Sequence, residues 1–164
     1  MSVDVTRRVI EPGSDEHVDT AWNLKERIHH EEGVLKQRRG FFVDAYRRAT
    51  VHLLFIGHKD DSEGLCGFAA VRRDGYVLFL AVDFAHRGEG FGQQLMATVA
   101  DEYDTVTCHA RATNEDAIGF YEHIGFEKQR RIDNYYEDGG AAYYLKLGED
   151  TGLTGRISSF MKRR

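Results

Sequence analysis

Three consecutive segments restrict the folds that this chain can adopt. An uninterrupted apolar run, Tyr76–Val82, is followed by a glycine-rich segment and then by an amphipathic helical pattern. A short continuous apolar run is typical of a strand buried on both faces at the centre of a sheet. The three glycines that come next are Gly88, Gly90 and Gly92, at the point where the helical pattern begins. The segment therefore predicts a strand, a glycine-rich turn and a helix within an α/β fold.

Six further strands and three further helices are predicted from the spacing of apolar residues. The strands are Val5–Ile10, Val51–Ile56, Leu65–Val71, Thr105–Ala110, Phe126–Ile132 and Ala141–Leu147. The helices are one that follows Ser14, one with Phe41 to Ala49 on its apolar face, and Asn114–Ile124. This order predicts a mixed, mostly antiparallel sheet of about seven strands flanked by about four helices, an α/β (α+β) fold in one domain.

Four local signals predict where elements begin and end. Ser14, with two acids after it, predicts the N-cap of the first helix. The charged residues His29–Gly33 predict a break before the second helix. Asp74–Gly75 predicts a hairpin turn, and Gly125 predicts the end of the last helix as its C′ residue.

Composition excludes several classes of function. The net charge of −5 argues against general nucleic-acid binding, which needs a basic face. The chain has no apolar run long enough to span a membrane and no secretory signal at its N-terminus, which predicts a cytoplasmic protein. Cys66 and Cys108 are interpreted as buried thiols, and the eight histidines lack metal-ligand spacing, so no metal is expected.

The sequence divides at residue 148 into a domain, residues 1–148, and a basic amphipathic tail, residues 149–164. Apolar residues recur in the tail at helical spacing beside arginine and lysine. This pattern fits a helix that docks on the domain, on a second copy of the chain in a homodimer, or on an acidic surface. A frayed tail is an equal alternative.

The glycine-rich segment predicts an anion site. A helix N-terminus offers unpaired N–H groups and a partial positive charge, and glycines allow a phosphate to approach them. The spacing Gly88-x-Gly90-x-Gly92 is neither the G-x-G-x-x-G of dinucleotide folds nor a Walker loop. A pyrophosphate is the expected guest, with a tight turn that binds nothing as the alternative.

A second motif, downstream of the glycine-rich segment, narrows the choice of ligand for the predicted anion site. Asn114-x-x-Ala117-x-x-Phe120-Tyr121-x-x-x-Gly125-Phe126 lies one strand downstream of Arg87-x-x-Gly90-x-Gly92. Together they resemble the two conserved blocks of the GNAT N-acetyltransferase family, over about residues 65–147. The resemblance implies the GNAT fold, splayed at its acetyl-CoA site, and an acyltransferase that uses acetyl-CoA to acetylate a primary amine.

The resemblance also implies roles for individual residues. The backbone amides of Arg87, Gly88, Glu89, Gly90, Phe91 and Gly92 would hold the pyrophosphate. The strand end at Ala81 and Val82 would pair with the pantetheine arm, which Asn114 would also contact. Tyr121 would protonate the leaving thiolate. The alternatives are a core tyrosine and an asparagine that only caps its helix.

The sequence offers one candidate for the residue that accepts the proton. The run Cys108-His109-Ala110-Arg111-Ala112-Thr113-Asn114 is similar to a segment of the protein N-terminal acetyltransferases of the ribosomal-protein alanine (RimI) type. His109 stands where that type carries its catalytic Glu. Since His has a pKa near 6.5, His109 is a candidate base. The alternative is a strand histidine without a role, with water or a carboxylate as the base.

The acceptor is expected to be a protein or peptide N-terminal α-amine. Tyr135 and Tyr136 resemble the tyrosine turn that clamps the acceptor peptide in the RimI type, and Glu31 and Glu32 are further candidates for acceptor binding, although a solvated charge run is the commoner case. Two alternative functions stay open. One is acetylation of a small amine, such as a polyamine, an amino acid or an aminoglycoside, and the other is a non-catalytic acetyl-CoA sensor.

Overall fold

The computed structural model describes residues 5–33, 35–57 and 64–148, which form seven β-strands and four α-helices, as the sequence predicts. The strands are β1 (Val5–Ile10), β2 (Thr50–Ile56), β3 (Leu65–Val71), β4 (Val77–Val82), β5 (Thr105–Arg111), β6 (Glu127–Ile132) and β7 (Ala142–Gly148). The helices are α1 (Val18–Glu32), α2 (Arg39–Arg48), α3 (Phe91–Glu102) and α4 (Glu115–His123). The tail 149–164 and its predicted helix lie outside the described residues.

The strands form two antiparallel sheets, in the orders β1-β2-β3-β4 and β5-β7-β6. In the second sheet β7 is central, and its Tyr144 lies opposite His109 of β5 and Arg130 of β6. Because residues that face each other across an antiparallel ladder share a face, these three side chains form one row. The α/β fold class with mostly antiparallel strands is confirmed.

The described residues group into two compact units. One consists of the described parts of Met1–Arg73 and Val77–Leu95, and the other of Asp74–Tyr76 and the described part of Met96–Arg164. The first unit has an aromatic core, in which the Phe42 ring lies 4.8 Å from that of Phe79 and 6.0 Å from that of Phe68. The division into residues 1–148 and 149–164 stays a prediction.

The apolar run at β4 does not form a central strand of its sheet. β4 is the last strand of the first sheet, and alternate residues, Val77, Phe79 and Ala81, are its buried ones. The strand that is buried throughout is β3. The prediction of a central position was wrong because an apolar run indicates only that both faces of a strand are at least partly buried. An edge strand such as β4 meets this condition when its second face is half-buried.

α1 begins later than predicted. Ser14 does not cap it: the Ser14 hydroxyl accepts a hydrogen bond from the Glu16 N–H at 3.1 Å within a turn, and His17, at φ 65°, precedes the first helical residue, Val18. Glu16, expected in the first helical turn, instead pairs with Arg8 at 2.6 Å. Serine side chains readily bond to nearby backbone N–H groups, and here the Ser14 hydroxyl bonds within the turn instead of capping the helix.

α1 also ends later than predicted. The charged residues His29 to Glu32 continue the helix, and Gly33 ends it at φ 71°, with its N–H bonded to the His29 carbonyl. Phe41, assigned to the apolar face of α2, is 59% exposed. The end of α4 follows the prediction, because the Phe126 N–H returns to the Tyr121 carbonyl at 2.9 Å around Gly125.

The turn between β3 and β4 depends on Gly75, which adopts a φ of 86°. A Cβ there would lie 2.3 Å from the Thr105 carbonyl oxygen, and the Thr107 N–H holds the Gly75 carbonyl at 3.1 Å. We expect Gly75→Ala to lower the free energy of unfolding by about 2–4 kcal/mol, since it adds backbone strain and a backbone overlap. Urea unfolding followed by circular dichroism measures the change.

Gly119→Ala is the matched control. Gly119 lies inside α4, and nothing would approach its Cβ within 4 Å. Alanine there should raise the free energy of unfolding by about 0.5–1 kcal/mol, because it improves helix propensity without a clash. Equal effects of the two substitutions would contradict the assigned role of Gly75.

Candidate active site

The glycine-rich segment connects β4 to α3 in the first unit. Gly88 and Gly90 adopt φ values of 83° and 85°, which side chains disfavour. The Gln94 N–H donates to the Gly90 carbonyl at 3.0 Å, so α3 starts directly after Gly90. The first N–H groups of a helix have no partner within it, and they carry the positive end of its dipole. The turn therefore has the backbone conformation that an anion site requires, and pyrophosphate binding there stays a prediction.

Arg87 is anchored beside this turn. Its Nε donates to the Val82 carbonyl at 3.2 Å, and its guanidinium forms an ion pair with Glu32, the last residue of α1. A second ion pair, from Arg27 of α1 to Asp83 at 3.2 Å, joins the same two segments. Glu32, expected near the acceptor, is thus a neighbour of the glycine-rich turn.

The other residues of the first unit that are predicted to bind cofactor lie around the same turn. Ala81 is buried and Val82 half-buried at the end of β4, which is an edge of its sheet. Phe91, 5% exposed, and Gly92 form the first turn of α3. Glu89 is exposed, with its carboxylate 3.7 Å from the His86 ring. Glu31, a candidate for the acceptor, is exposed at the end of α1.

In the second unit, Tyr121 of α4 is buried and hydrogen-bonded to the Cys108 thiol of β5. Its ring packs edge-on against Phe126 at 5.1 Å. Burial, with Cys108 as a smaller cause, raises the pKa of Tyr121 well above its ordinary value of 10. The phenol therefore keeps its proton at neutral pH and is able to donate it.

His109 lies at the centre of an aromatic cluster. Its ring stacks on Tyr135 at 4.3 Å and 14°, and the Tyr144 ring is 5.1 Å away. Burial first, and then the charge of Arg130, lower the pKa of His109 from 6.5. The imidazole is therefore neutral at physiological pH, the state in which it accepts a proton.

Tyr76 is the residue that the sequence did not reveal. Its hydroxyl lies 2.7 Å from Nδ1 of His109, and it also exchanges a hydrogen bond with Tyr135. Burial raises the pKa of Tyr76 far above 10, so its hydroxyl keeps its proton. The hydroxyl accepts from Nδ1–H when the imidazole carries its proton there, and this tautomer leaves Nε2 free to take a proton. Tyr76 reads in sequence as the first residue of a strand, and nothing in its spacing pointed to His109.

The tyrosine turn between β6 and β7 is held in a defined conformation. The N–H groups of Tyr135 and Tyr136 both donate to the Gly140 carbonyl, at 3.0 and 3.1 Å. Arg111 lies 4.0 Å from the centre of the Tyr136 ring and 3.1 Å from the Asp138 carboxylate. Tyr135 is thereby presented to His109 while it stays 42% exposed.

Asn114 is the N-cap of α4. Its side-chain oxygen accepts a hydrogen bond from the Ala117 N–H at 3.1 Å. The same carboxamide has an NH₂ group that can donate to a ligand, so the cap and the predicted pantetheine contact are compatible.

The described residues offer neither a cluster of metal ligands nor a membrane-spanning helix. Residues 5–33, 35–57 and 64–148 contain no group of three or more His, Cys, Asp or Glu side chains placed to hold a metal ion. No helix within these ranges has both the length and the apolar character to cross a membrane.

Comparison with known proteins agrees with this geometry. Residues 51–128 match the family described as Acetyltransferase (GNAT) domain. N-alpha-acetyltransferase 30 of Xenopus laevis is 38% identical over 80 residues, which are 46% of this chain and 29% of that protein. N-alpha-acetyltransferase RimI of Mycobacterium tuberculosis is 27% identical over 113 residues, 63% of this chain and 70% of that protein.

The fold comparison extends over most of the chain. The crystal structure of Arabidopsis thaliana NAA60 in complex with acetyl-CoA aligns with a TM-score of 0.65 and 21% sequence identity. The alignment covers 88% of this chain and 98% of that one. Residues 51–128 are thus the part of the chain that is similar to the GNAT acetyltransferase domain. The chain spans less than a third of the length of the frog N-alpha-acetyltransferase that it matches.

Proposed function

We propose that this protein is an acetyl-CoA-dependent N-acetyltransferase whose acceptor is the α-amine of a protein or peptide. One observation carries the proposal: the second unit holds a buried phenol, Tyr121, that keeps its proton, and a neutral imidazole, His109, that is able to accept one. The Tyr76 hydroxyl lies within hydrogen-bond distance of His109, 2.7 Å from its Nδ1. Acetyl transfer requires both functions, because an amine loses a proton and a thiolate gains one.

Acetyl-CoA supplies the activated acetyl group. The amides of residues 87–92 would bind its pyrophosphate, because helix N-termini stabilise such anions. The backbone at Ala81 and Val82, on an edge strand, would bond the pantetheine amides. Asn114 would donate to the same arm. Support for this cofactor comes from the family match and from the NAA60 structure, which is a complex with acetyl-CoA.

The reaction needs a neutral amine. His109, neutral at physiological pH, would take the proton of the attacking amine directly or through one water. Tyr76 would hold the imidazole in the orientation set by its 2.7 Å hydrogen bond. As the thioester bond to the acetyl carbon breaks, Tyr121 would give its proton to the departing thiolate.

The chemistry of the acceptor favours an α-amine. An α-amine has a pKa near 8 and is partly neutral at pH 7, whereas a lysine ε-amine, near 10.4, is not. The exposed ring of Tyr135 beside His109 offers an aromatic surface for a peptide. The frog and mycobacterial relatives are both named N-alpha-acetyltransferases, which supports the same class of acceptor.

The test is release of CoA from acetyl-CoA with paired acceptors. Short peptides with free N-termini are compared with the same peptides whose N-termini are blocked, and with spermidine, free amino acids and an aminoglycoside. We expect CoA release with free N-termini only. Acetyl-CoA binding is measured separately by calorimetry, and a wild-type protein that fails to bind it would remove the acetyltransferase assignment.

Two other outcomes identify the alternatives. Release with small amines only would keep the acetyltransferase and replace the acceptor. Binding of acetyl-CoA without release on any acceptor would indicate a sensor. A cytoplasmic location, the homodimer and acceptor contacts of Glu31 and Glu32 stay predictions.

A further inference from the structure

Arg130 occupies an unusual place for an exposed charge. It lies in the row His109–Tyr144–Arg130 on one face of the second sheet, and its guanidinium carbon is 4.8 Å from the centre of the Tyr144 ring. The Tyr144 ring in turn lies 5.1 Å from the His109 ring. A single aromatic side chain therefore separates a permanent cation from the candidate base.

The other basic residues of β6 are differently placed. Arg131 lies opposite Tyr143, so it faces the other side of the sheet, and it pairs with Asp133 at 3.0 Å. Lys128 is 4.6 Å from the Tyr143 ring and 4.0 Å from the Glu122 carboxylate. Arg130 differs from both, since no carboxylate in the described part of the chain pairs with it.

The charge on Arg130 is thus available to a ligand. A guanidinium that stacks on an aromatic ring keeps the N–H groups at the edge of its own plane available. These N–H groups can donate two parallel hydrogen bonds to a carboxylate. The surrounding protein is acidic, with a net charge of −5, so an unpaired arginine is not a consequence of general basicity. The candidate base His109 lies in the same row, and the charge of Arg130 contributes, after burial, to lowering the pKa of His109.

The strand spacing gives the distance involved. β5 and β6 are separated by β7, and adjacent strands lie about 4.8 Å apart, so the row spans ~10 Å. An extended peptide advances about 3.3–3.6 Å per residue. An acceptor whose amine lies at His109 would therefore bring the side chain of its second or third residue to Arg130.

We infer that Arg130, stacked on Tyr144, forms a specificity subsite for a carboxylate carried by the second or third residue of the acceptor peptide. The inference rests on the proposed function and names the substrate class for it. The bound carboxylate would accept hydrogen bonds from the guanidinium, while Tyr135 covers the peptide nearer the amine.

The test uses three peptides that differ only at residues two and three, which are Asp-Glu, Asn-Gln or Lys-Lys. We expect wild-type kcat/KM to be about tenfold higher for Asp-Glu than for Asn-Gln, the size of one charge-assisted hydrogen bond. Arg130→Gln should abolish this difference when the rates are compared at a pH where His109 is neutral in both proteins. Arg130→Lys should retain part of it.

Arg131→Gln is the matched control, since it removes the neighbouring arginine from the opposite face, and it should keep the tenfold preference. Equal wild-type kcat/KM for Asp-Glu and Asn-Gln, or equal losses in the two variants, would overturn the inference. Peptide Kd in the presence of CoA is measured in parallel. If no peptide is acetylated the proposed function fails, and the Kd ratio of Asp-Glu to Asn-Gln still decides whether Arg130 binds carboxylates.

Discussion

Tyr121→Phe is expected to lower kcat by about 10²–10⁴, because the variant loses the proton that a general acid gives to the leaving thiolate. Burial and the Cys108 thiol hold the pKa of Tyr121 far above 10, so the proton is present over the whole working range of pH. Peptide binding should change little, since Tyr121 as a whole is only 7% exposed and its ring remains in the variant. Single-turnover rates at saturating acetyl-CoA measure the effect.

Tyr46→Phe is the matched control for this substitution. Tyr46 is also buried, and its hydroxyl donates to the Glu16 carbonyl in the first unit. Its loss should cost about 1 kcal/mol of stability and leave kcat unchanged. If Tyr121→Phe transferred acetyl groups at the wild-type rate, Tyr121 would be a core residue only.

His109→Ala is expected to lower kcat/KM by about 10²–10³ and to change its dependence on pH. The base is active when neutral, so wild-type activity should be present above the pKa of His109 and be lost as the pH falls through it. Burial and Arg130 place that pKa below 6.5. The variant should lose this step in the profile and keep only the ionisation of the acceptor amine, near pH 8.

The groups around His109 decide how the profile responds to mutation. Tyr76, Tyr135 and Tyr144 surround the ring, and Arg130 is the charged group that acts on it. Arg130→Gln should therefore move the acidic step toward higher pH. His123→Ala, at an exposed position of α4, is the control and should leave the profile unchanged. An unaltered profile in His109→Ala would assign the base to water or another residue.

The strands, helices and candidate site segments were predictable because each carries a local signal. Glycines at 88 and 90 and the asparagine at 114 act through backbone and cap geometry, which depends on adjacent residues. The same holds for Gly125 at the end of α4. Where two local signals compete, as at Ser14, the sequence does not say which one prevails.

The partners of the site residues were not predictable, because they come from distant parts of the chain. Tyr76 reaches His109 across 33 positions, and the Glu32–Arg87 pair spans 55. Arg130 meets Tyr144 only because β7 lies between β5 and β6, an order that periodicity does not encode. The edge position of β4 was missed for the same reason.

The two cysteines of this chain have a practical consequence. Cys66 and Cys108 are 0% and 1% exposed, and burial raises the pKa of these thiols to about 11 and about 12. Disulfide exchange requires an accessible thiolate, which neither residue supplies in the folded protein. A chromogenic disulfide added to the native protein should therefore report free coenzyme A thiol without a background from the protein's own cysteines. A rise in colour in the absence of acetyl-CoA would signal unfolding.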